Sequence, residues 1–134
     1  MALLTRDKEQ LRLEENQLRE QIATLSVEQK RQYYAQELQQ IKDPDTYAAL
    51  NWAFVAGLHH FYLGKWSRGL INLALMTLGV IFYFLVGFSL LGAALIVFVF
   101  AIELPQLFNS ENVIHDYNNQ VIKRLLAQFD YKGE

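Results

Sequence analysis

Charged residues are nearly absent from one continuous stretch, residues 47–108, and this segregation constrains the fold more than any other feature. Residues 1–46 contain seven Lys or Arg and nine Asp or Glu, whereas residues 47–108 contain only Lys65, Arg68 and Glu103. A water-soluble fold distributes charge over the surface of every helix, so a stretch this long and this apolar is typical of a membrane domain. The sequence therefore predicts an all-α integral membrane protein with soluble helices at both ends.

Three short apolar helical segments divide the membrane domain, which we place at residues 46–108. They cover about 47–63, 69–86 and 88–104, and each is near the lower length limit for crossing a hydrocarbon core of about 30 Å. The second and third cannot form one straight helix, because at about 1.5 Å per residue it would exceed about 50 Å. We expect the chain to turn at Gly87, which leaves two or three crossings open.

Residues 1–45 predict a polar helical tail, most simply a helix hairpin. A leucine recurs at every seventh position of the first helix: Leu4, Leu11, Leu18 and Leu25. This spacing leaves two alternatives, a self-sufficient coiled coil or a narrow stripe that packs on another element. Ser26 and Gln29 fit a capping box that starts a second helix, and Pro44 ends the tail. That second helix carries Tyr34, Leu38 and Ile41 on one side.

Residues 109–134 predict a C-terminal amphipathic helix, running from about 111 to 129. Its apolar residues recur at steps of three and four and form one face: Val113, Ile114, Tyr117, Val121, Leu125 and Phe129. We expect Asp116, Asn119 and Lys123 on the opposite, polar face. The helix could lie on a membrane surface or pack against the N-terminal helices, and its few basic residues favour packing.

One motif lies at the end of the first apolar segment. Residues 57–65 read Gly-Leu-His-His-Phe-Tyr-Leu-Gly-Lys, and Gly69 follows. This stretch resembles the hallmark of the two-transmembrane (TM-two) domain family, Gly-x-His-Arg-Phe-Tyr-Leu-Gly-Arg/Lys. The matching residues are Gly57, His59, Phe61, Tyr62, Leu63, Gly64, Lys65 and Gly69. His60 replaces the family's Arg, Glu103 resembles its acidic residue near the end of the last apolar stretch, and the segment between Lys65 and Glu103 is longer than usual.

A polar cluster is expected where two antiparallel hairpins bring residues to one depth in the membrane. Turns at Trp66 and Gly87 would place Glu103 near the following residues: His59, His60, Lys65, Arg68 and Asn72. An unpaired carboxylate at that depth is costly, so we expect Glu103 to contact one of these groups and to act as a structural clasp. Because adjacent helical residues point about 100° apart, we do not expect His59 and His60 to chelate a metal.

Small residues form two stripes that would let helices approach closely. The stripes comprise Ala49, Ala53 and Gly57 in the first segment, and Ser89, Ala93 and Ala101 in the third. Packing within one chain and packing between subunits are both open.

Composition and motifs exclude several function classes. The net charge of −2 gives no electrostatic case for nucleic acid, and the absence of cysteine excludes disulfides and thiolate sites. We find no catalytic or cofactor-binding motif, and we expect no enzyme activity, cofactor or small-molecule substrate. The polar first 40 residues predict no cleavable signal peptide, and we expect a location in a bacterial inner membrane.

The sequence leaves two functions to weigh. The leading hypothesis is a small non-enzymatic membrane protein that acts by assembly, either as a homo-oligomer or as an accessory or scaffold subunit. Its expected partners are the lipid bilayer and itself or another membrane protein. The alternative is a channel or transporter component that uses intramembrane histidine and glutamate residues.

Overall fold

The computed structural model describes residues 6–53, 57–87 and 89–130, and within them it is all-helical. The helices in chain order are α1 (Lys8–Thr24), α2 (Val27–Gln40), α3 (Pro44–Ala53), α4 (Leu58–Tyr62), α5 (Trp66–Leu85), α6 (Leu90–Phe108) and α7 (Ser110–Asp130). No strand occurs in these ranges. The predicted all-α class is confirmed.

The chain divides into two compact units. Residues 1–44 and 111–134 form one, here called the tail unit, and residues 45–110 form the other, here called the apolar unit. Both divisions fall within two residues of the domain limits expected from the sequence. The N-terminal tail and the C-terminal helix, which the sequence treats as separate domains, belong to the same unit.

The tail unit has a continuous apolar core between α1, α2 and α7. The buried residues of this core are Leu18, Ile22, Tyr33, Val121, Ile122, Leu125, Leu126 and Phe129. Of the two alternatives for the leucine stripe of α1, a coiled coil or packing on another element, the structure has the second. Of the two for α7, the membrane surface or the N-terminal helices, it also has the second. Leu4 lies outside the described residues.

The link between α1 and α2 is the predicted capping box. The Ser26 hydroxyl accepts a hydrogen bond from the Gln29 amide at 3.2 Å, and the Gln29 side chain accepts one from the Ser26 amide at 2.9 Å. This reciprocal pair satisfies amides that the first turn of a helix otherwise leaves unpaired. The prediction is confirmed.

Polar residues are buried in two helices of the tail unit. The buried residues of α2 are Tyr33 and Glu37, whereas Tyr34 and Leu38 are exposed. Glu37 is buried because Arg19 pairs with it at 2.9 Å and the Tyr33 hydroxyl donates to it at 3.1 Å.

In α7, Asn119 was expected on a solvated face but is buried. Its Nδ2 donates to the Leu11 carbonyl at 2.9 Å. A buried amide needs such a partner, and the backbone of α1 supplies it.

An antiparallel hairpin of α5 and α6 dominates the apolar unit. The expected break at Gly87 is confirmed, since α5 ends at Leu85 and Gly87 has a φ of +64°. A Cβ added to Gly79 would lie 3.0 Å from Ile96 Cγ1, and one added to Gly92 would lie 2.8 Å from the Gly79 carbonyl oxygen. The two helices approach closely because these positions lack side chains.

Only α5 and α6, among the helices of the described ranges, are long and apolar enough to cross a membrane. They contain 20 and 19 residues, which at about 1.5 Å per residue gives roughly 30 Å each. The expectation of three apolar helical segments is wrong for the first segment. There, α3 has 10 residues and α4 has five, and Gly57 between them has a φ of +100°.

Of the small residues in the two stripes, Gly57 packs closely inside the chain, against α5, and the others contribute little within the described residues. Ala49 and Ala101 are exposed, Ala93 is half-buried, and the side chain of Ala53 lies outside the described part. Ser89 instead caps α6, because its Oγ accepts from the Gly92 amide at 3.2 Å. The alternative of packing between subunits therefore stays open for Ala49 and Ala101.

Candidate functional site

Two glycines allow α4 to pack tightly against α5. A Cβ added to Gly57 would lie 3.1 Å from Asn72 Cβ and 3.4 Å from the Gly69 carbonyl, and the positive φ of Gly57 also disfavours other residues. A Cβ added to Gly69 would lie 2.7–2.9 Å from ring atoms of Phe61. This close packing fixes where α4 presents its two histidines.

Three helices meet at the buried carboxylate of Glu103. His59 Nε2 lies 2.7 Å from Oε2, and His60 Nε2 lies 3.3 Å from Oε1. Asn72 Nδ2 donates to Oε1, and Gln106 Nε2 donates to Oε2 at 3.2 Å. All three members of the histidine–glutamate group are at most 3% exposed. We call His59, His60, Asn72, Glu103 and Gln106 the Glu103 cluster.

The register of the α5–α6 hairpin explains why Asn72 reaches Glu103. Tyr83 lies against Gly92 and Gly79 lies against Ile96. Asn72 lies seven residues before Gly79 in α5, and Glu103 lies seven residues after Ile96 in α6. Antiparallel helices rise equally per residue, so the levels stay matched.

The short helix α3 adds buried groups around the cluster. Asn51 Nδ2 donates to the Glu103 carbonyl oxygen at 3.3 Å. The Tyr47 ring packs edge-on to His59 with centroids 5.2 Å apart, and its hydroxyl donates to Gln106 Oε1 at 3.5 Å. Asn51 and Tyr47 are both buried. The cluster therefore joins α3, α4, α5 and α6 of the apolar unit.

Several nitrogens of the cluster lack hydrogen bonds. His59 Nδ1, His59 Nε2 and His60 Nδ1 are buried with no hydrogen-bond partner in the described part of the chain. His59 Nε2 is thus close to a carboxylate oxygen without the geometry of a hydrogen bond. Leaving a buried polar atom unpaired costs about 1–3 kcal/mol, so such atoms are rare unless something else satisfies them.

The expected contacts of Glu103 with His59, His60 and Asn72 are present. Lys65 and Arg68, which were expected nearby, are exposed side chains at the beginning of α5. The expectation that adjacent histidines diverge is wrong, because their ring centroids are 4.1 Å apart and both Nε2 atoms approach one carboxylate. The two imidazoles converge because α6 places the Glu103 carboxylate between them.

Sequence reasoning missed Tyr47, Asn51 and Gln106. Asn51 and Gln106 carry a signal that could have found them, because each is an isolated uncharged polar residue in an apolar segment. Gln106 also follows Glu103 by three residues, which puts both on one helix face. Tyr47 carries no comparable signal.

The cluster has the composition of a metal-binding site. Ligand atoms of His59, His60 and Glu103 all lie within 4.8 Å of one another. Without a metal, the contacts of His59 and His60 with Glu103 would still hold α4 against α6 as a structural network.

Comparisons with known proteins add no family or function. A scan against family models found no match, and searches of curated proteins and of solved structures found none either. Function is therefore argued from the two units and the Glu103 cluster.

Proposed function

We propose that this chain is a non-enzymatic integral membrane protein that acts by assembly, as a homo-oligomer or as an accessory subunit of a membrane complex. In this proposal α5 and α6 cross the bilayer as a hairpin. The tail unit, which carries most of the charge, stays outside the hydrocarbon. The location in a bacterial inner membrane and membership of the TM-two domain family are parts of the same proposal.

The surface of the hairpin supports its placement in lipid. Only 11% of the most apolar window of α5 and 17% of that of α6 is buried. The core helix of a soluble protein of this hydrophobicity would be mostly covered. Large apolar side chains such as Phe84, Leu90 and Phe98 are instead exposed. Lipid is the solvent in which this surface costs nothing.

The engagement of Glu103 within its own chain is the observation that carries the choice between assembly and transport. A carboxylate that lines a pore would face a water-filled path. Glu103 is 1% exposed and contacts His59, His60, Asn72 and Gln106 of the same chain. This favours a structural clasp and thereby a non-transporting membrane protein.

Apolar side chains on the surface of the tail unit support assembly. Leu38 is 75% exposed and Tyr34 is 45% exposed, one turn apart on α2. Neighbouring exposed apolar groups on a water-facing helix are typical of contact surfaces between proteins. The exposed Ala49 and Ala101 of the apolar unit would suit a second contact surface inside the bilayer.

The test uses the full chain. It should remain in the membrane pellet after alkaline carbonate treatment, and in mild detergent its protein mass should exceed the 15.6 kDa of one chain. Substitution Leu38→Glu should lower that mass or release a co-purifying subunit, because it places a charge in the contact. Gln39→Glu makes the same change of charge at the next exposed position and should have no effect.

Two results would contradict the proposal. Recovery of the chain in the soluble fraction would end the membrane interpretation. A monomeric mass, with no partner captured by cross-linking in native membranes, would end the assembly interpretation. If Leu38→Glu lowers the oligomer mass no more than Gln39→Glu does, Leu38 is not part of the contact between subunits.

A further inference from the structure

The Glu103 cluster contains a ligand set that the clasp does not fully use. Two imidazole nitrogens and one carboxylate are the ligands that Zn²⁺ and related first-row ions take when three protein groups bind them. His59, His60 and Glu103 bring these atoms within 4.8 Å of one another. Because two of the three ligands are nitrogens, Mg²⁺ and Ca²⁺, which prefer oxygen, fit the set poorly.

An unpaired nitrogen points to a ligand. His59 Nε2 lies 2.7 Å from Glu103 Oε2 but makes no hydrogen bond in the described part of the chain. A shared cation would move this nitrogen and oxygen apart, because 2.7 Å is shorter than the separation of two ligands on one ion. With bonds of about 2.0–2.2 Å, neighbouring ligand atoms lie roughly 3.3 Å apart, and His60 Nε2 already lies 3.3 Å from Oε1.

The charge of the cluster also favours a cation. Glu103 is acidic, while both imidazoles are neutral when they act as metal ligands. A divalent ion would offset the buried carboxylate inside the cluster itself.

The amides around Glu103 would orient the carboxylate. Asn72 and Gln106 each donate to one of its oxygens, which is the role that outer hydrogen bonds have around metal ligands. His59 Nδ1 and His60 Nδ1 lack such partners in the described residues. We expect affinity about 10–100-fold below that of a site in which both imidazoles are held.

We propose that His59, His60 and Glu103 bind one divalent transition-metal ion, with Zn²⁺ as the first candidate, and that the ion links α4 to α6. This site goes beyond the proposed function and does not depend on assembly. A monomeric chain would bind the ion equally well.

The experiment exploits the fact that the chain has only three histidines and no cysteine. The full chain, purified in detergent without a histidine tag and treated with a chelator, is titrated with ZnCl₂ by calorimetry. One ion per chain should bind. X-ray absorption of the zinc-loaded protein should then show two imidazole ligands and oxygen.

The variant His115→Ala identifies which histidines bind. His115 belongs to the tail unit and contacts Glu15 at 2.6 Å. If this variant still binds one Zn²⁺ through two imidazoles, those are His59 and His60. His59→Ala and Glu103→Gln should each weaken binding by at least about 10-fold. The result does not depend on whether these two variants fold, because His115→Ala leaves the cluster intact.

Three outcomes would overturn the site. They are no stoichiometric Zn²⁺ binding by the unsubstituted chain, fewer than two imidazoles in the His115→Ala spectrum, or unchanged affinity in folded His59→Ala and Glu103→Gln. Oligomer mass is measured on the same samples with and without Zn²⁺. A failed metal site with an intact oligomer would leave the proposed function standing.

Discussion

The two units of this chain are built in opposite ways. The tail unit has an apolar core of side chains such as Ile122 and Leu125, and ion pairs such as that of Lys8 with Glu111 lie at its surface. The apolar unit buries His59, His60 and Glu103 and exposes residues such as Phe84 and Leu90. One chain thus has apolar residues inside in one unit and outside in the other.

On the membrane placement proposed above, different forces act on the two units. In water, burying apolar surface drives α1, α2 and α7 together. In lipid this drive is absent, so helices associate through close packing and polar contacts. The apolar unit has both: Gly79 and Gly92 let α5 and α6 approach closely, and the Glu103 cluster joins α4, α5 and α6. The buried charge is therefore the more sensitive point of the molecule.

Of the substitutions that distinguish the two units, removal of the Glu103 carboxylate should have the largest effect on stability. Glu103→Leu leaves the amide donors of Asn72 and Gln106 and the His60 ring without the oxygen that each contacts. Each buried polar group that loses its partner costs about 1–3 kcal/mol. Thermal unfolding of the full chain in detergent, with a chelator present so that no metal contributes, should show a large decrease in the stability of the apolar unit.

The matched control is Glu111→Leu. Glu111 begins α7, its side chain is 64% exposed, and it pairs with Lys8 at 2.7 Å. The same substitution there should change stability far less, because exposed ion pairs contribute little. Equal losses from Glu103→Leu and Glu111→Leu would show that burial of the charge is not what distinguishes the apolar unit.

The tail unit should respond to the loss of apolar volume. Leu125 is 1% exposed in the core, and Leu125→Ala removes buried methyl groups and leaves a cavity, which costs about 2–5 kcal/mol. The fall should appear in chemical unfolding of the full chain followed by helical circular dichroism. Leu13→Ala removes the same atoms at an exposed position of α1 and should stay within about 0.5 kcal/mol of the unsubstituted chain. Similar values for the two variants would argue against the core assigned to this unit.

Local patterns and hairpin geometry made part of this fold predictable. A serine followed three residues later by a glutamine, just before a helix, is a local signature of a capping box. Ser26 and Gln29 could therefore be found from the sequence. Gly87 breaks an apolar run too long for one helix. The meeting of Asn72 with Glu103 follows from placing a turn at Gly87 and counting equal rises along two antiparallel helices.

The remaining features depend on contacts that no local pattern records. Glu37 is buried because Arg19, on another helix, pairs with it. The first apolar segment is interrupted because Gly57 takes a left-handed conformation beside α5, whereas hydropathy treats it as part of an apolar run. His59 and His60 converge because Glu103 lies between them, which a helical projection of α4 alone cannot show.

The smallest expected effect concerns the surface charge of the tail unit. Glu14 lies 2.7 Å from Arg6 and also contacts Lys123 and Asn119. The hydrogen bond from Arg6, together with those from the other two groups, lowers the pKa of Glu14 to about 2. In the unfolded chain a glutamate has a pKa of about 4.3. The folded state therefore favours the charged form of Glu14.

This shift predicts how stability depends on pH. The contribution of Glu14 is fully present above the unfolded pKa and is lost as the pH falls from that value through the folded pKa of about 2. Glu14→Gln removes the contribution at every pH. The difference in stability between the unsubstituted chain and this variant should be about 1 kcal/mol near neutrality, since the charged partners Arg6 and Lys123 are exposed, and it should decrease as the pH falls.

The measurement is thermal unfolding of the two chains at several values between about pH 6 and pH 2. Glu20→Gln makes the same change of charge at an exposed position of α1 and should follow the unsubstituted chain throughout.

Added salt should reduce the difference in stability caused by Glu14→Gln, because exposed ion pairs are screened. It should leave the effect of Glu103→Leu unchanged, because buried charges are screened much less. A Glu14 difference that is constant from neutral to acid pH would mean that its carboxylate is not held in the charged form by folding. Equal salt sensitivity of the two glutamates would mean that the charges of the two units do not differ in exposure.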